Sequence, residues 1–274
     1  MQLYFLLYTI APEPRPPCDS EKKYLTILPD GKVSELSPLP CWYDTWLQRK
    51  CCQKTPVGNQ DDLIEKPEIF MSVVVPAYNE EQRMGGMLEE AVEVLQRLYG
   101  DAHGADVESK IPSTTSIRRN SDPRARSKVQ KPLLPIGPLQ GRGWEILVIS
   151  DGSTDGTVKT ALDFARDHQL SQYPTPIPGP WKKNPGPTQI PHGSIRVIQL
   201  EKNRGKGGAV THGMRHARGK YVVFADADGA SVFDDLEKLV EGCREIEDKD
   251  GRGVTVGSRA HLVGSEAVVK VRLE

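Results

Sequence analysis

Two aspartates one residue apart follow an apolar segment in the last quarter of the sequence. Asp226 and Asp228 come directly after Tyr221–Phe224, and Gly229 follows them. Alternate side chains of an extended chain point to the same side, so we expect the two carboxylates to lie together. Close carboxylates repel each other unless a cation is present, and hard divalent cations prefer oxygen ligands. The pair predicts a metal site, with a solvated strand end as the alternative.

Two further polar motifs also follow apolar segments. Asp151 ends the segment Trp144–Ile149, and its carboxylate can accept a hydrogen bond from the N–H edge of a nucleobase. The turn Asn203–Gly208 contains Lys206 and three glycines. At the start of a helix, backbone N–H groups and the helix dipole favour anions. The turn therefore predicts a diphosphate site, although a flexible turn would have the same composition. It lacks the spacing of a Walker A loop.

The elements that position these motifs alternate between apolar strands and amphipathic helices. The predicted strands are residues 69–78, 144–149, 194–201, 220–229 and 253–259. This alternation predicts an α/β fold, a mostly parallel sheet with helices on both faces. Ligands of such sheets bind beyond the carboxyl ends of the strands, where all the motifs above are placed.

Capping patterns predict where the helices begin and end. Asn79, with Gln82 three residues later, forms a capping box before one helix. Ser153 or Thr154 can cap the helix that follows the second strand. Gly219 is expected to end the helix that follows the glycine-rich turn.

Four segments, in this order, resemble the signatures of family 2 inverting glycosyltransferases: VVVPAYNEE, ISDGSTDGT, NRGKGGAV and FADADG. The resemblance covers about residues 69–270. It implies a Rossmann-like, nucleotide-sugar-binding fold of the GT-A type for residues 69–274. The longer segment RGKGGAVTHGMRHARGKYVVFADADGAS and the later VGSRAHL are more similar to the members that transfer glucose to dolichyl phosphate.

The resemblance also implies roles for individual residues. Asp151 would read the uracil base, Lys206 would help hold the donor, and Asp226 would support the nucleotide-sugar. Asp228 would ligate Mg²⁺ or Mn²⁺, and Arg259 would hold the phosphate of the acceptor. Four residues would hold the nucleoside: Pro76, Ala77, Tyr78 and Glu80.

The implied reaction transfers glucose from UDP-glucose to dolichyl phosphate with inversion, giving dolichyl β-D-glucosyl phosphate for N-glycan precursor assembly. The implied location is the endoplasmic reticulum membrane, with the catalytic domain facing the cytosol. Three alternatives stay open: a GDP-mannose-dependent dolichyl-phosphate mannosyltransferase, a transferase acting on a soluble saccharide, and a non-catalytic nucleotide-sugar-binding fragment. A nucleic-acid partner is not expected, because the net charge of −1 lacks the basic excess that phosphate backbones require.

The remaining segments suggest irregular structure. Residues 1–11 are apolar but too short to span a bilayer, and they can be the remnant of a membrane anchor. Residues 12–68 predict an irregular arm with a short strand pair in 23–36, and residues 101–143 and 171–193 predict disordered insertions. The family resemblance implies acceptor-side and membrane-contacting elements beyond Glu274. We therefore expect this chain to bind the donor but to transfer little glucose.

Overall fold

A parallel sheet lies at the centre of the protein. The computed structural model describes residues 15–52, 65–100, 142–170, 188–249 and 251–257. The strands in these residues are β1 (Lys23–Tyr24), β2 (Ser37–Pro38), β3 (Ile69–Ala77), β4 (Trp144–Asp151), β5 (Ile195–Leu200) and β6 (Gly219–Phe224). The α-helices are α1 (Trp42–Cys52), α2 (Met84–Tyr99), α3 (Thr157–Gln169), α4 (Gly205–Arg215) and α5 (Leu236–Ile246).

The four long strands run parallel in the order β5-β4-β3-β6. All eight residues of β4 are buried, and β3 is buried over most of its length. Continuous burial is typical of a parallel strand that is covered on both faces, and it explains why these segments are mostly apolar.

Helices cover both faces of the sheet. One apolar cluster joins the sheet to α2, α3 and α5. A second cluster, on the other face, joins Val74, Leu147 and Ile149 of the sheet to Ala209 of α4. The chain runs from β3 through β4 to β5, each strand beside the one before it, and then returns across the sheet to β6, which lies on the other side of β3. Because such crossovers are right-handed, the returning helix α4 must lie on the opposite face from α2 and α3. The predicted α/β class and helix placement are confirmed.

The N-terminal arm (residues 15–52) is more regular than the sequence suggests. Leu25 and Val197 exchange two backbone hydrogen bonds of 2.8 Å, so the arm adds an antiparallel bridge to the outer edge of β5. The predicted strand pair is present, but its second strand is Ser37–Pro38, outside the predicted segment. The helix α1 was not predicted, and none of its residues is fully buried. A helix without a buried stripe leaves no clear apolar periodicity in the sequence.

The predicted helix starts are wrong. Asn79 does not cap α2, which begins at Met84 after Arg83. Neither Ser153 nor Thr154 caps α3, which begins at Thr157. These polar residues bind a neighbouring loop instead, as described below.

The prediction for Gly219 is also wrong, since α4 ends at Arg215 and Gly219 begins β6. A Cβ atom at Gly219 would lie 2.5 Å from the backbone nitrogen of Ser72. A glycine is therefore required because β6 approaches β3 closely at this point, not because a helix ends there. The predicted fifth strand is not observed in residues 253–257, and its last two residues lie outside the described part of the chain.

Several predictions concern residues that the structure does not describe. They are the apolar segment 1–11, most of the predicted insertions 101–143 and 171–193, and Arg259. The proposed division into three segments stays a prediction. Within the described ranges, no helix has both the length and the apolar composition needed to cross a bilayer.

The packing of α4 on the sheet gives a testable prediction. A Cβ atom at Gly213 would lie 2.4 Å from Cγ1 of Val74 and 3.1 Å from Cγ1 of Ile149, and both side chains are fully buried. We expect Gly213→Ala to lower the free energy of unfolding by about 1–3 kcal/mol, because a packed core cannot accept the added methyl group. Urea denaturation measures this change.

Gly207, on the same helix, provides the control, because a Cβ atom there meets nothing within 4 Å. Gly207→Ala should leave the free energy of unfolding unchanged or raise it by up to about 1 kcal/mol. Equal effects of the two substitutions would show that α4 does not pack through Gly213.

Candidate active site

Polar loops follow the carboxyl ends of all four long strands and lie at one edge of the sheet. The strand order reverses between β3 and β6. In parallel α/β sheets, ligands bind in the crevice at such a reversal. The structure therefore places the predicted motifs at the edge where a ligand site is expected.

The loops after β3 and β4 are joined by hydrogen bonds. Thr154 N donates to Oδ1 of Asn79 at 2.9 Å, and Asn79 N donates to Oγ of Ser153 at 3.2 Å. Gly156 N donates to Oε2 of Glu81 at 2.9 Å. Asn79 has a φ of 55°, in the left-handed region that asparagine tolerates better than most residues. The residues predicted to cap helices thus fix two loops of the site against each other.

Four residues at the end of β3 were predicted to hold a nucleoside. Ala77 is buried, Pro76 is partly buried, and the side chain of Tyr78 is exposed, so its ring is available to a ligand. Glu80 accepts a hydrogen bond from Nη2 of Arg83 at 2.7 Å through Oε1. Its Oε2 atom is buried and has no hydrogen-bond partner. Buried polar atoms are normally paired, so this oxygen is free to accept a hydrogen bond from a ligand hydroxyl.

Asp151 has a structural contact that the sequence did not reveal. Its side chain is buried at the end of β4, and Oδ1 accepts a hydrogen bond from Arg204 N at 2.7 Å. Burial raises the pKa of this carboxyl above its ordinary value, against the opposing effect of hydrogen bonds from the backbone of Arg204 and Gly205. Asp151 thus ties β4 to the glycine-rich turn, and its role in reading uracil stays a prediction.

Lys206 and Asp226 are brought together, although they come from different loops. Lys206 lies in the first turn of α4, and its Nζ atom is 2.5 Å from Oδ1 of Asp226. Both side chains are substantially exposed, so the pair contributes little to stability. Its importance is geometric, because it places the glycine-rich turn beside the two aspartates.

The two aspartates lie beyond the end of β6, which stops at Phe224, and not within a strand. The alternation nevertheless continues: Ala225 and Ala227 are buried, whereas Asp226 and Asp228 face solvent. Oδ1 of Asp228 accepts a hydrogen bond from Ala230 N at 3.0 Å, which holds the carboxylate in a tight turn.

The metal prediction can be tested against this donor set. Within the part of the chain that the structure describes, no three His, Cys, Asp or Glu side chains are grouped closely enough to hold a metal ion. Asp226 and Asp228 would offer carboxylate oxygens, and a diphosphate and water would have to complete the coordination. An all-oxygen set of this kind suits Mg²⁺ or Mn²⁺. The residues fit such an ion only when a phosphate-containing ligand is bound with it.

Sequence reasoning missed Arg204, which precedes the first glycine of the turn. Its backbone binds Asp151, and its guanidinium group binds the N-terminal arm. The only signal for it is its place inside the NRGKGG motif, where attention falls on the lysine and the glycines. Arg259, the predicted acceptor residue, lies outside the described residues.

A parallel sheet with a glycine-rich helix start and two aspartates at its carboxyl edge has the arrangement that many nucleotide-binding α/β proteins use. Residues 188–261 match the model of glycosyl transferase family 2. The chain is 33% identical to the dolichyl-phosphate beta-glucosyltransferase of Saccharomyces cerevisiae over 276 residues, which is 98% of this chain and 59% of that protein. It is 34% identical to the Drosophila melanogaster protein of the same name over 73% of this chain and 44% of that protein.

The Homo sapiens protein of that name is 30% identical over 72% of this chain and 43% of its own length. The chain thus spans about half the length of the curated relatives that it matches. The chain is similar to glycosyltransferases of family 2, and the predicted GT-A type of fold is confirmed.

The contact between the first two loops gives a prediction for Asn79. Asn79→Ala removes the acceptor for Thr154 N. It also places alanine, which tolerates the left-handed region less well than asparagine, at a φ of 55°. We expect the free energy of unfolding to fall by about 1–2 kcal/mol. Asn79→Gly also removes the acceptor but tolerates this φ, so it should be less destabilising. Urea denaturation in which the glycine variant is the less stable of the two would contradict this account.

Proposed function

We propose that this chain carries the donor site of an enzyme that transfers glucose from UDP-glucose to dolichyl phosphate. The product is dolichyl β-D-glucosyl phosphate, used in N-glycan precursor assembly. The names of the relatives support the reaction, and one contact in the structure supports the site. That contact is the 2.5 Å pair of Lys206 and Asp226, which joins the glycine-rich turn to the aspartate motif at one edge of the sheet.

The nucleoside would bind at the end of β3. The exposed ring of Tyr78 offers a surface for stacking on the base. The unpartnered Oε2 of Glu80 can accept a hydrogen bond from a ribose hydroxyl. Pro76 and Ala77 shape the floor of this site, and Asp151 is proposed to contact the uracil ring.

The diphosphate would bind where α4 begins. Gly205 N donates to Oδ1 of Asn203 at 2.8 Å, so the N–H groups that follow it in the first turn, with the Lys206 ammonium, favour an anion at this point. Asp226 and Asp228 would hold Mg²⁺ or Mn²⁺ against the diphosphate, and the ion would offset the negative charge that grows on the leaving group. Lys206 must then exchange part of its contact with Asp226 for the phosphate oxygens.

The acceptor needs little activation. A dolichyl phosphate is already an anionic nucleophile at neutral pH, so no general base is required. Attack on the anomeric carbon from the face opposite UDP inverts α to β. Arg259 is proposed to hold the acceptor phosphate, because its planar guanidinium group matches two phosphate oxygens in a way that a lysine does not. We place this chemistry at the cytosolic face of the endoplasmic reticulum membrane.

The proposed metal site predicts metal-linked nucleotide binding. UDP should bind at least about tenfold tighter with Mg²⁺ or Mn²⁺ than with a chelator, a difference of about 1.4 kcal/mol. Asp228→Asn should abolish this difference because it removes a ligand oxygen charge. Asp234→Asn is the control, since that nearby carboxylate is exposed and pairs with Arg97. Equal affinity with and without metal in calorimetry would refute the metal role.

The reaction itself is tested by transfer of labelled glucose from UDP-glucose into a lipid-extractable product in liposomes containing dolichyl phosphate, using the native protein. We expect the transfer, which the sequence predicts to be small, to depend on Asp228, and we expect UDP-glucose to displace GDP-mannose from the site. Preferential binding of GDP-mannose would replace the proposal with a mannosyl enzyme. Tight binding of UDP-glucose without any lipid product would replace it with a donor-binding protein.

A further inference from the structure

A fully buried carboxylate joins the N-terminal arm to the glycine-rich turn. Glu21 has no exposed surface, and it lies about 180 residues before the turn that it contacts. Oε1 accepts hydrogen bonds from Nη2 of Arg15 at 2.5 Å and from Glu201 N at 3.0 Å. Oε2 accepts from Nη2 of Arg204 at 2.6 Å and from Cys18 N at 2.8 Å. Each oxygen therefore has one arginine and one backbone partner.

The charge state of Glu21 follows from these contacts. Burial alone would raise its pKa, but hydrogen bonds from Arg15, the Cys18 backbone and Arg204 outweigh burial and lower the pKa to about 2. The carboxylate is therefore ionised at neutral pH. Removing one partner of a buried pair is costly because it leaves the other charge uncompensated.

Arg204 passes this connection on to the donor site. Its guanidinium group also donates to Arg15 O at 2.6 Å and to Pro16 O at 3.0 Å, while its backbone nitrogen donates to Asp151. A Cβ atom at Gly208 would lie 2.6 Å from Cβ of Arg204. One glycine of the turn is therefore needed to make room for this arginine, whether or not a phosphate binds.

The arm also contacts α4 along its length. Nε2 of His212 donates to Glu21 O at 2.9 Å, and Nε1 of Trp42 donates to Met214 O at 2.8 Å. Just after the helix, Nδ1 of His216 donates to Pro40 O at 2.8 Å. The start, the middle and the end of α4 are thus each held by the arm, so the arm determines where the helix places Lys206.

We propose that the N-terminal arm completes the donor site, with Glu21 as a positioning residue. Through Arg204, Glu21 fixes the turn 203–208 so that Lys206 and the free N–H groups of α4 face the diphosphate of a nucleotide-sugar. This inference rests on the proposed donor site. It assigns a function in ligand binding to a segment that precedes the sheet and that carries none of the family motifs.

A merely stabilising role for Glu21 is separated from positioning by a matched control. Glu145 is also fully buried, and it also pairs with two arginines, Arg196 and Arg218. It lies near the start of β4, at the amino ends of the parallel strands, whereas the donor site lies at their carboxyl ends. Glu21→Gln and Glu145→Gln should both lower the melting temperature, but only Glu21→Gln should affect the donor site.

The experiment measures UDP affinity by calorimetry, with Mg²⁺, at a temperature where circular dichroism shows each variant to be folded. We expect Glu21→Gln to weaken UDP binding by about tenfold or more, because misplaced binding groups lose much of their effect. Glu145→Gln should change it less than about twofold. If Glu21→Gln does not fold, Arg204→Lys serves instead, since it keeps the charge but loses the contacts with Arg15 O and Pro16 O.

Amide hydrogen exchange without ligand provides an independent measurement. Residues 201–208 should exchange faster in Glu21→Gln than in Glu145→Gln. Unchanged UDP affinity in Glu21→Gln, or equal losses in both variants, would overturn the positioning role. If the wild-type protein does not bind UDP, the proposed function fails, whereas the exchange of residues 201–208 still decides whether Glu21 positions the turn.

Discussion

The hydrogen bond from Arg204 N to Asp151 Oδ1 is the contact on which the candidate site depends. It joins the end of a central strand to the turn that begins α4, where Asp151 is buried and Arg204 is partly buried. A buried carboxylate needs hydrogen-bond donors, so any movement of the turn away from β4 removes the donor to Oδ1 of Asp151. The same turn presents Lys206 to Asp226. This contact brings together the loops that follow β5 and β6, the two outermost strands of the sheet.

The arm and α4 are held together by polar contacts in a mostly dry interface. Burial lowers the pKa of His212 and lowers that of His216 to about 4, so burial favours the neutral form of both rings, and each donates one N–H to a carbonyl. Polar contacts of this kind fix the position of a helix along its axis more narrowly than apolar packing, which tolerates sliding. The apolar contacts of α4 with the sheet complete this packing, through Ala209, Gly213 and Met214.

The sequence predicted the sheet because β3, β4 and β5 are mostly apolar, as is typical of parallel strands that are buried on both faces. It also placed Lys206, Asp226 and Asp228 at one edge, since the carboxyl ends of parallel strands coincide. The helix starts failed because Asn79, Ser153 and Thr154 have the same hydrogen-bonding groups whether they cap a helix or bind a neighbouring loop. Glu21 and Arg204 could not be paired from the sequence, because their contact depends on how a distant segment returns to the sheet.

Two ion pairs near the candidate site differ in burial, and the difference decides which of them a ligand could replace. The Glu21 pair with Arg204 is buried, and each oxygen of Glu21 accepts two hydrogen bonds, so breaking the pair leaves a charge without water. The Lys206 pair with Asp226 is exposed, so water can replace either partner at little cost. A diphosphate can therefore take over Lys206, and a cation can take over Asp226, without disturbing the turn that carries the lysine. The buried pair keeps the turn in place, and the exposed pair gives up its partners when a ligand binds. A site that binds a charged donor and then releases a more highly charged product needs both properties.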